Sequence, residues 1–323
     1  MAIKKIFSRL LYDGLDFISI FLAPFISRMA QTGAGSERCL KRKCLPVPIH
    51  YYSPIPDIED LEKRKVWDKK SQLTGIDFPI EKQLEFIKIL GEKYGSECDW
   101  PLSPTGNPAQ FYVNNVSFSY GCAAVLHSMI RYFKPKKIIE IGSGNSSLVI
   151  SEAITDNRNE NFPVEYVIID PYPLDIIKNE LKNITKLIIE KGELMDSAFF
   201  DQLQKNDILF IDSGHTVKTG SDVNYLILDI LPRIKPGVVI HFHDISLPYE
   251  YPKIYYTNPE FRVFWTEAYL LQAFLSFNPY FEVLLAMNLI MKDKAGDFQR
   301  SFPHYDPDIH KSISGSFWIR RKS

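Results

Sequence analysis

Between residues 120 and 243 the apolar positions switch repeatedly between two periods. Cys122, Val125, Leu126, Met129, Ile130 and Phe133 fall at i, i+3, i+4, i+7, i+8 and i+11, one stripe of a helix that Pro135 ends. Lys137–Ile141 is a short apolar run, followed by a turn over Gly142–Ser147 and a helix over 148–155. Similar runs recur at 164–170, 187–190, 208–212 and 238–243, with helical patterns at 174–181 and 223–234. These runs are continuously apolar, as in strands covered on both faces. Strands alternating with amphipathic helices predict an α/β domain, a doubly wound, mostly parallel sheet. Beyond residue 260 the pattern predicts a helix over Phe261–Ser276 and strand-like runs over Phe281–Met291 and Ser316–Arg320.

The N-terminal third reads differently. Residues 30–60 are rich in turn formers, among them Gly33, Gly35, Pro46, Pro48, Pro54 and Pro56, and predict an irregular arm. Residues 57–94 predict two helical pieces, with Ile80, Leu84, Ile87 and Leu90 near helical spacing. We therefore expect a helical and irregular arm over 1–110 and a Rossmann-like domain over 111–323. Phe17–Ile26 is apolar and follows Lys4, Lys5 and Arg9. It is interrupted by Pro24, lacks a small-residue cleavage site, and is shorter than the roughly 20 residues a membrane span needs. Two readings stay open: a helix that packs on the domain or on a second copy in a homo-oligomer, or one that lies on a membrane surface.

Charge and cysteine content narrow the partners. The 38 basic and 39 acidic side chains nearly cancel, which argues against a whole-chain electrostatic grip on nucleic acid. Cys39, Cys44, Cys98 and Cys122 match no zinc or redox spacing and read as reduced thiols of a cytoplasmic protein, membrane-peripheral if the helix docks there.

The candidate chemistry starts in the turn after the first strand. Gly142 and Gly144 let a ligand approach the backbone, and the following helix offers amide N–H groups. A dinucleotide site ordinarily has a third glycine where Ser147 stands, and a pyrophosphate disfavours the nearby Glu140. S-adenosyl-L-methionine, which has a sulfonium, an amino group and no phosphate, tolerates that charge. Asp170 ends the second strand, where a carboxylate can accept ribose hydroxyls. These features disfavour a nicotinamide oxidoreductase.

With Ile139-Glu-Ile-Gly-Ser-Gly144, Ile211-Asp-Ser-Gly-His215 and His243-Asp244, the chain resembles class I S-adenosylmethionine-dependent methyltransferases. More narrowly, it is similar to a bacterial group associated with sugar and polysaccharide O-methylation. Trp265–Phe274 and Tyr52–Asp57 add to the likeness. The resemblance implies a seven-stranded sheet whose last strand is antiparallel. It places Glu140, Gly142, Gly144, Asn145 and Ser146 at the methionine end of the cofactor, Asp170 at the ribose, and Gly192-Glu193 near the adenine. Related sugar and catechol enzymes hold a metal with carboxylates at the tips of strands four and five. Here Asp212 and Asp244 are the candidates for a divalent cation such as Mg²⁺.

For catalysis the candidates are Asp212, His243, Asp244 and, secondarily, His215. Either a histidine acts as general base or carboxylates hold an ion that acidifies the acceptor hydroxyl. Strand alternation turns His243 and Asp244 to opposite sides, so one of the two is expected at the substrate. His241 shares a face with His243 and reads either as a metal partner or as a hydrogen-bonded core residue. His127 reads as structural. The tyrosines of 248–256 and His50–Tyr52 suit a polar, ring-shaped acceptor or simply pack loops. Methylation of another small molecule remains an alternative, as does a non-catalytic partner of a glycan-assembly enzyme. The four prolines of residues 46–57 preorganise a segment expected to cover the acceptor. A chain starting at residue 60 should therefore lose turnover, and full turnover of the truncated protein would contradict this reading.

Overall fold

The computed structural model describes residues 2–310 and 313–322. It contains two compact units, one ending at Val66 and one beginning at Trp67. The first holds three helices, α1 (Ala2–Thr32), α2 (Ser36–Lys41) and α3 (Ile58–Lys63). Asp57 starts α3 by accepting hydrogen bonds from the amides of Glu59 and Asp60, an N-cap. This first unit is thus helical at both ends, and none of its described side chains is buried.

The second unit begins well before the expected boundary at residue 111. Its first helix, α4 (Ile80–Tyr94), packs on α5 (Tyr120–Phe133). Ile87 and Leu90 of α4 share one buried apolar cluster with the α5 stripe. Removing α4 would open that core, so residues 67–110 belong with the sheet domain.

Then follow β1 (Lys137–Ile141), α6 (Asn145–Asn159), β2 (Glu165–Ile169), α7 (Asp175–Asn179), β3 (Lys186–Ile188) and β4 (Ile208–Ile211). A continuous helical stretch comes next: α8 (Asp222–Asn224), a π turn (Tyr225–Ile230) and a 3₁₀ turn (Leu231–Arg233). The chain ends with β5 (Val239–Phe242), α9 (Lys253–Thr257), α10 (Glu267–Leu275), β6 (Phe281–Ala286), α11 (Met287–Asp293), α12 (Ala295–Ser301) and β7 (Phe317–Arg321). The apolar run 281–291, expected as one strand, is strand only to Ala286 and helix from Met287. A continuous apolar run carries no period that separates the two. The helix expected over 261–276 starts only at Glu267.

The seven strands form one sheet in the order β3-β2-β1-β4-β5-β7-β6. Only β7 is antiparallel to its neighbours, β5 and β6. Strands β1, β2 and β3 run outward in one direction, and β4 and β5, followed by β7 and β6, in the other. The reversal opens a crevice at the carboxyl ends of β1 and β4. Ile138, Tyr166, Ile168, Ile208, Phe210 and Trp318 point from one sheet face into the cluster under α5 and α6.

One backbone contact closes the crevice floor. Gly142 has φ +81°, and a Cβ built on it would lie 1.9 Å from the carbonyl oxygen of Asp212. The Asp212 amide also donates to the Ile141 carbonyl at 2.9 Å. Gly142→Ala would combine left-handed strain with this clash. It should lower stability by at least about 2 kcal/mol in urea denaturation, whereas a change near zero would show that the turn relaxes freely.

Candidate active site

A cleft of about 520 Å³ lies along the carboxyl ends of the parallel strands. Gly142, Asp170, Glu193 and Asp212 line it, joined by Ser143 and Lys191. Asp170 sits at the end of β2 with both oxygens engaged. Oδ2 accepts from the Ser143 amide at 2.9 Å and from its hydroxyl, and Oδ1 accepts from the Tyr172 amide at 2.7 Å. Oδ1 keeps one lone pair for a further bond, so this carboxylate both pins the first turn and faces the cleft.

Glu140, Ser146 and Asn145 lie elsewhere than the motif comparison placed them. Glu140 does not line the cleft. It is fully buried on the α5/α6 face of the sheet and accepts from the hydroxyls of Tyr166, Ser146 (2.7 Å) and Ser147 (2.9 Å). Ser146 is therefore turned inward. Ser147 also accepts from the Gly144 amide at 3.1 Å, closing the first turn of α6. Gly144 itself is extended, with φ 174°. Asn145 reaches sideways and donates to Asn115 at 3.2 Å and Ser117 at 2.8 Å. These residues shape the turn from behind.

Beside the cleft, four ionisable side chains meet at the tips of β4 and β5. His215 Nε2 lies 3.3 Å from Asp212 Oδ1 and 3.7 Å from Asp244 Oδ2. His243 Nδ1 lies 3.4 Å from Asp244 Oδ2 and 3.7 Å from Asp212 Oδ2. His243 and Asp244 thus face the same cluster, contrary to strand alternation. β5 has ended at Phe242, and Asp244 takes φ +57°, which rotates its side chain back. His215 is also left-handed, at φ +52°. Phe118 stacks on His243 at 4.9 Å between ring centroids.

Glu267, which the sequence reading did not single out, completes the arrangement. Its buried carboxylate lies 2.9 Å from His215 Nδ1, and the His215 carbonyl accepts from the amides of Thr266 and Glu267. Trp265 covers the imidazole at 4.5 Å. The only local hint was that Glu267 is an acid on a largely apolar helix.

The charges balance inside this cluster. Burial opposes the charged form of His215, but Asp212 and Glu267 outweigh it and push its pKa up to about 10. Burial likewise opposes the His243 cation, and Asp212 and Asp244 raise it well above the ordinary value. Burial alone would raise Asp212; the His243 and His215 cations instead hold it well below the usual carboxylate range. Asp212, His215 and Asp244 each offer a donor atom within 4.8 Å of the others, a spacing that can hold a metal ion.

His241 stands apart. It is fully buried, pairs with Ser316 Oγ at 3.0 Å and stacks on Phe210, and burial lowers its pKa well below normal. It is a neutral core residue. His127 is buried between α5 and α6, 3.2 Å from Asp156. The loop tyrosines are largely engaged: Tyr251 accepts from the Ala268 amide, and Tyr249 donates to Asp293. A second cavity, of about 370 Å³, is lined by Trp67, Tyr249, Lys253, Asn288, Lys292 and Ser314. Gly315, next to Ser314, packs against the backbone of Asp244.

Residues 139–245 match the family model described as a methyltransferase domain. An uncharacterized protein of Archaeoglobus fulgidus is 32% identical over 169 residues, 50% of this chain and 75% of that protein. Among solved structures, CmcI with SAH matches at a TM-score of 0.38 and 15% identity, covering 76% of this chain and 93% of that one. The plantazolicin methyltransferase BamL, with a triazolic desmethylPZN analog and SAH, matches at 0.39 and 13%, covering 83% and 100%.

The buried Glu140 carries a pH dependence. Burial pushes its pKa from 4.5 up to about 8, against the three hydroxyls that favour the anion. The folded chain then keeps a proton that the unfolded chain has lost. This contribution to stability is full below pH 4.5 and is lost as pH rises through about 8, with a slope of at most about 1.4 kcal/mol per pH unit. Glu140→Gln should flatten the stability curve over that interval in denaturant titrations. An unchanged slope would assign the pH dependence to other groups.

Proposed function

We propose that the chain, whose residues 139–245 match a methyltransferase-domain model, is a class I S-adenosylmethionine-dependent methyltransferase that methylates a hydroxyl group of a sugar or polysaccharide precursor. The observation that carries this reading is the carboxylate–imidazole cluster beside the cleft. Gly142 and Ser143 would meet the methionine end of the cofactor, Asp170 the ribose and Glu193 the adenine end. When bound, S-adenosyl-L-methionine supplies a methyl group on a sulfonium for displacement by the acceptor oxygen. A neutral hydroxyl is a weak nucleophile, so its proton must be taken up or its pKa lowered.

Both imidazoles hold their protons at neutral pH, which makes neither a ready base. Asp212, held well below the usual carboxylate range by those same cations, is a weak base as well. A divalent cation would have to displace the proton of His215 Nε2, and Asp212 and Asp244 would then supply oxygens beside that nitrogen. Glu267 on Nδ1 fixes the ring orientation, as carboxylates commonly do behind metal-bound histidines. Such an ion would lower the pKa of a bound hydroxyl. The 370 Å³ cavity near Asp244 has room for a polar acceptor, which would meet Asn288 and the Lys292 ammonium that lies 3.8 Å over the Tyr249 ring.

Asp244→Asn should lower kcat/KM by roughly 10²–10⁴-fold with little change in SAH affinity by calorimetry. Loss of turnover with EDTA, restored by Mg²⁺ or Mn²⁺, would assign the ion. Turnover untouched by EDTA would leave the carboxylates acting alone, and wild-type turnover of Asp244→Asn would make the cluster structural. Labelled methyl transfer to phenols or amines, but to no member of a panel of sugar nucleotides and oligosaccharides, would overturn the sugar assignment.

A further inference from the structure

Helix α1 presents an apolar surface that the described chain leaves uncovered. Eight large apolar side chains between Leu15 and Ile26 are 47–70% exposed. Leu15, Ile18, Leu22 and Phe25 repeat at helical spacing, and Phe17 and Phe21 widen the same side, their rings 5.7 Å apart. Asp16, Ser19 and Ser27, with the small Ala23 among them, form a narrow strip of polar and small residues opposite. A helix this apolar is ordinarily covered by something. No described helix is long and apolar enough to cross a membrane. The apolar stretch is only about 18 Å long, against about 30 Å for a hydrocarbon core.

The charge distribution identifies what covers it. Residues 1–45 carry eight basic and three acidic side chains, and the rest of the chain carries 30 and 36. Lys4, Lys5 and Arg9 precede the apolar stretch, and Arg38, Lys41 and Arg42 follow it. A second copy would bring the same excess of positive charge against this one. Nucleic acid would satisfy the charge and leave the phenylalanines in water. An anionic lipid surface satisfies both, with apolar side chains among the acyl chains and basic ones at the head groups. We propose that residues 14–28 form an interfacial anchor lying in the surface of a bilayer that contains anionic phospholipids. This assignment is independent of the methyl acceptor.

The test is flotation of the full-length protein with vesicles of phosphatidylcholine, with and without phosphatidylglycerol. Binding at low salt should be at least roughly ten-fold greater with the anionic lipid and should weaken as salt rises. The double variant Phe17→Glu, Phe21→Glu should fall to background. Both positions are exposed, so its melting temperature and its thermal shift with SAH should match wild type. Equal binding to the two vesicle types, or a double variant that floats like wild type, would overturn the proposal. So would a dimer in sedimentation that depends on Phe17 and Phe21 and floats with neither vesicle, which would assign the face to a second copy.

Discussion

The crevice depends on how the first turn is held from behind. Glu140 is a carboxylate with no cation beside it, buried where β1, β2 and the start of α6 meet. Three hydroxyls converge on it, from Tyr166 in β2 and from Ser146 and Ser147 in α6. A buried carboxyl group is costly unless its oxygens are hydrogen-bonded, and burial here favours its protonated form. The three donors are therefore fixed in place by what they satisfy. That fixes the angle at which α6 leaves β1, and with it the direction of the amides on the cleft side. Asp170 performs the complementary task from the front, joining the turn to β2 through Ser143. The turn is thus clamped between two carboxylates, one behind it and one facing the cleft.

The second cluster follows a different rule. Asp212, Asp244 and Glu267 would repel one another in a nearly dry space without the two imidazolium groups between them. Glu267 itself is raised by burial, against the pull of His215. Three carboxylates lie within 4 Å of the His215 imidazole and together favour its charged form. Two left-handed residues, His215 and Asp244, bring these groups together. Such backbone conformations are uncommon for side chains of this kind and persist where the surroundings over-determine them. Here the His215 carbonyl accepts two amides, and the Gly315 carbonyl accepts the amide of Ile245.

Much of this was legible in the sequence. Strands buried on both faces leave uninterrupted apolar runs, so β1, β2, β4 and β5 were placed to within a residue or two. The carboxylates at the strand tips were legible because polar residues end those runs. What stayed hidden has local physical causes. Glu140 was assigned to the ligand because its motif sits beside the glycines, although alternation with Ile139 and Ile141 puts it on the same face as Ile138, in the core. The facing of Asp244 was inverted by one positive φ beyond the strand end. Glu267 reaches His215 across 52 positions, and nothing near either residue marks that distance. Residues 67–110 were assigned to the arm because their loops are irregular, but burial of Ile87 and Leu90 decides their allegiance.

The two units also divide the electrostatics. The sheet domain keeps an excess of acidic side chains, while the N-terminal segment concentrates basic ones around an apolar helix. A nearly neutral total conceals this separation. At an anionic surface the two parts experience opposite forces within a Debye length. The total charge of −1, read alone, predicts indifference to charged surfaces. The order of charges along the chain concentrates the basic excess in residues 1–45, where the total hides it.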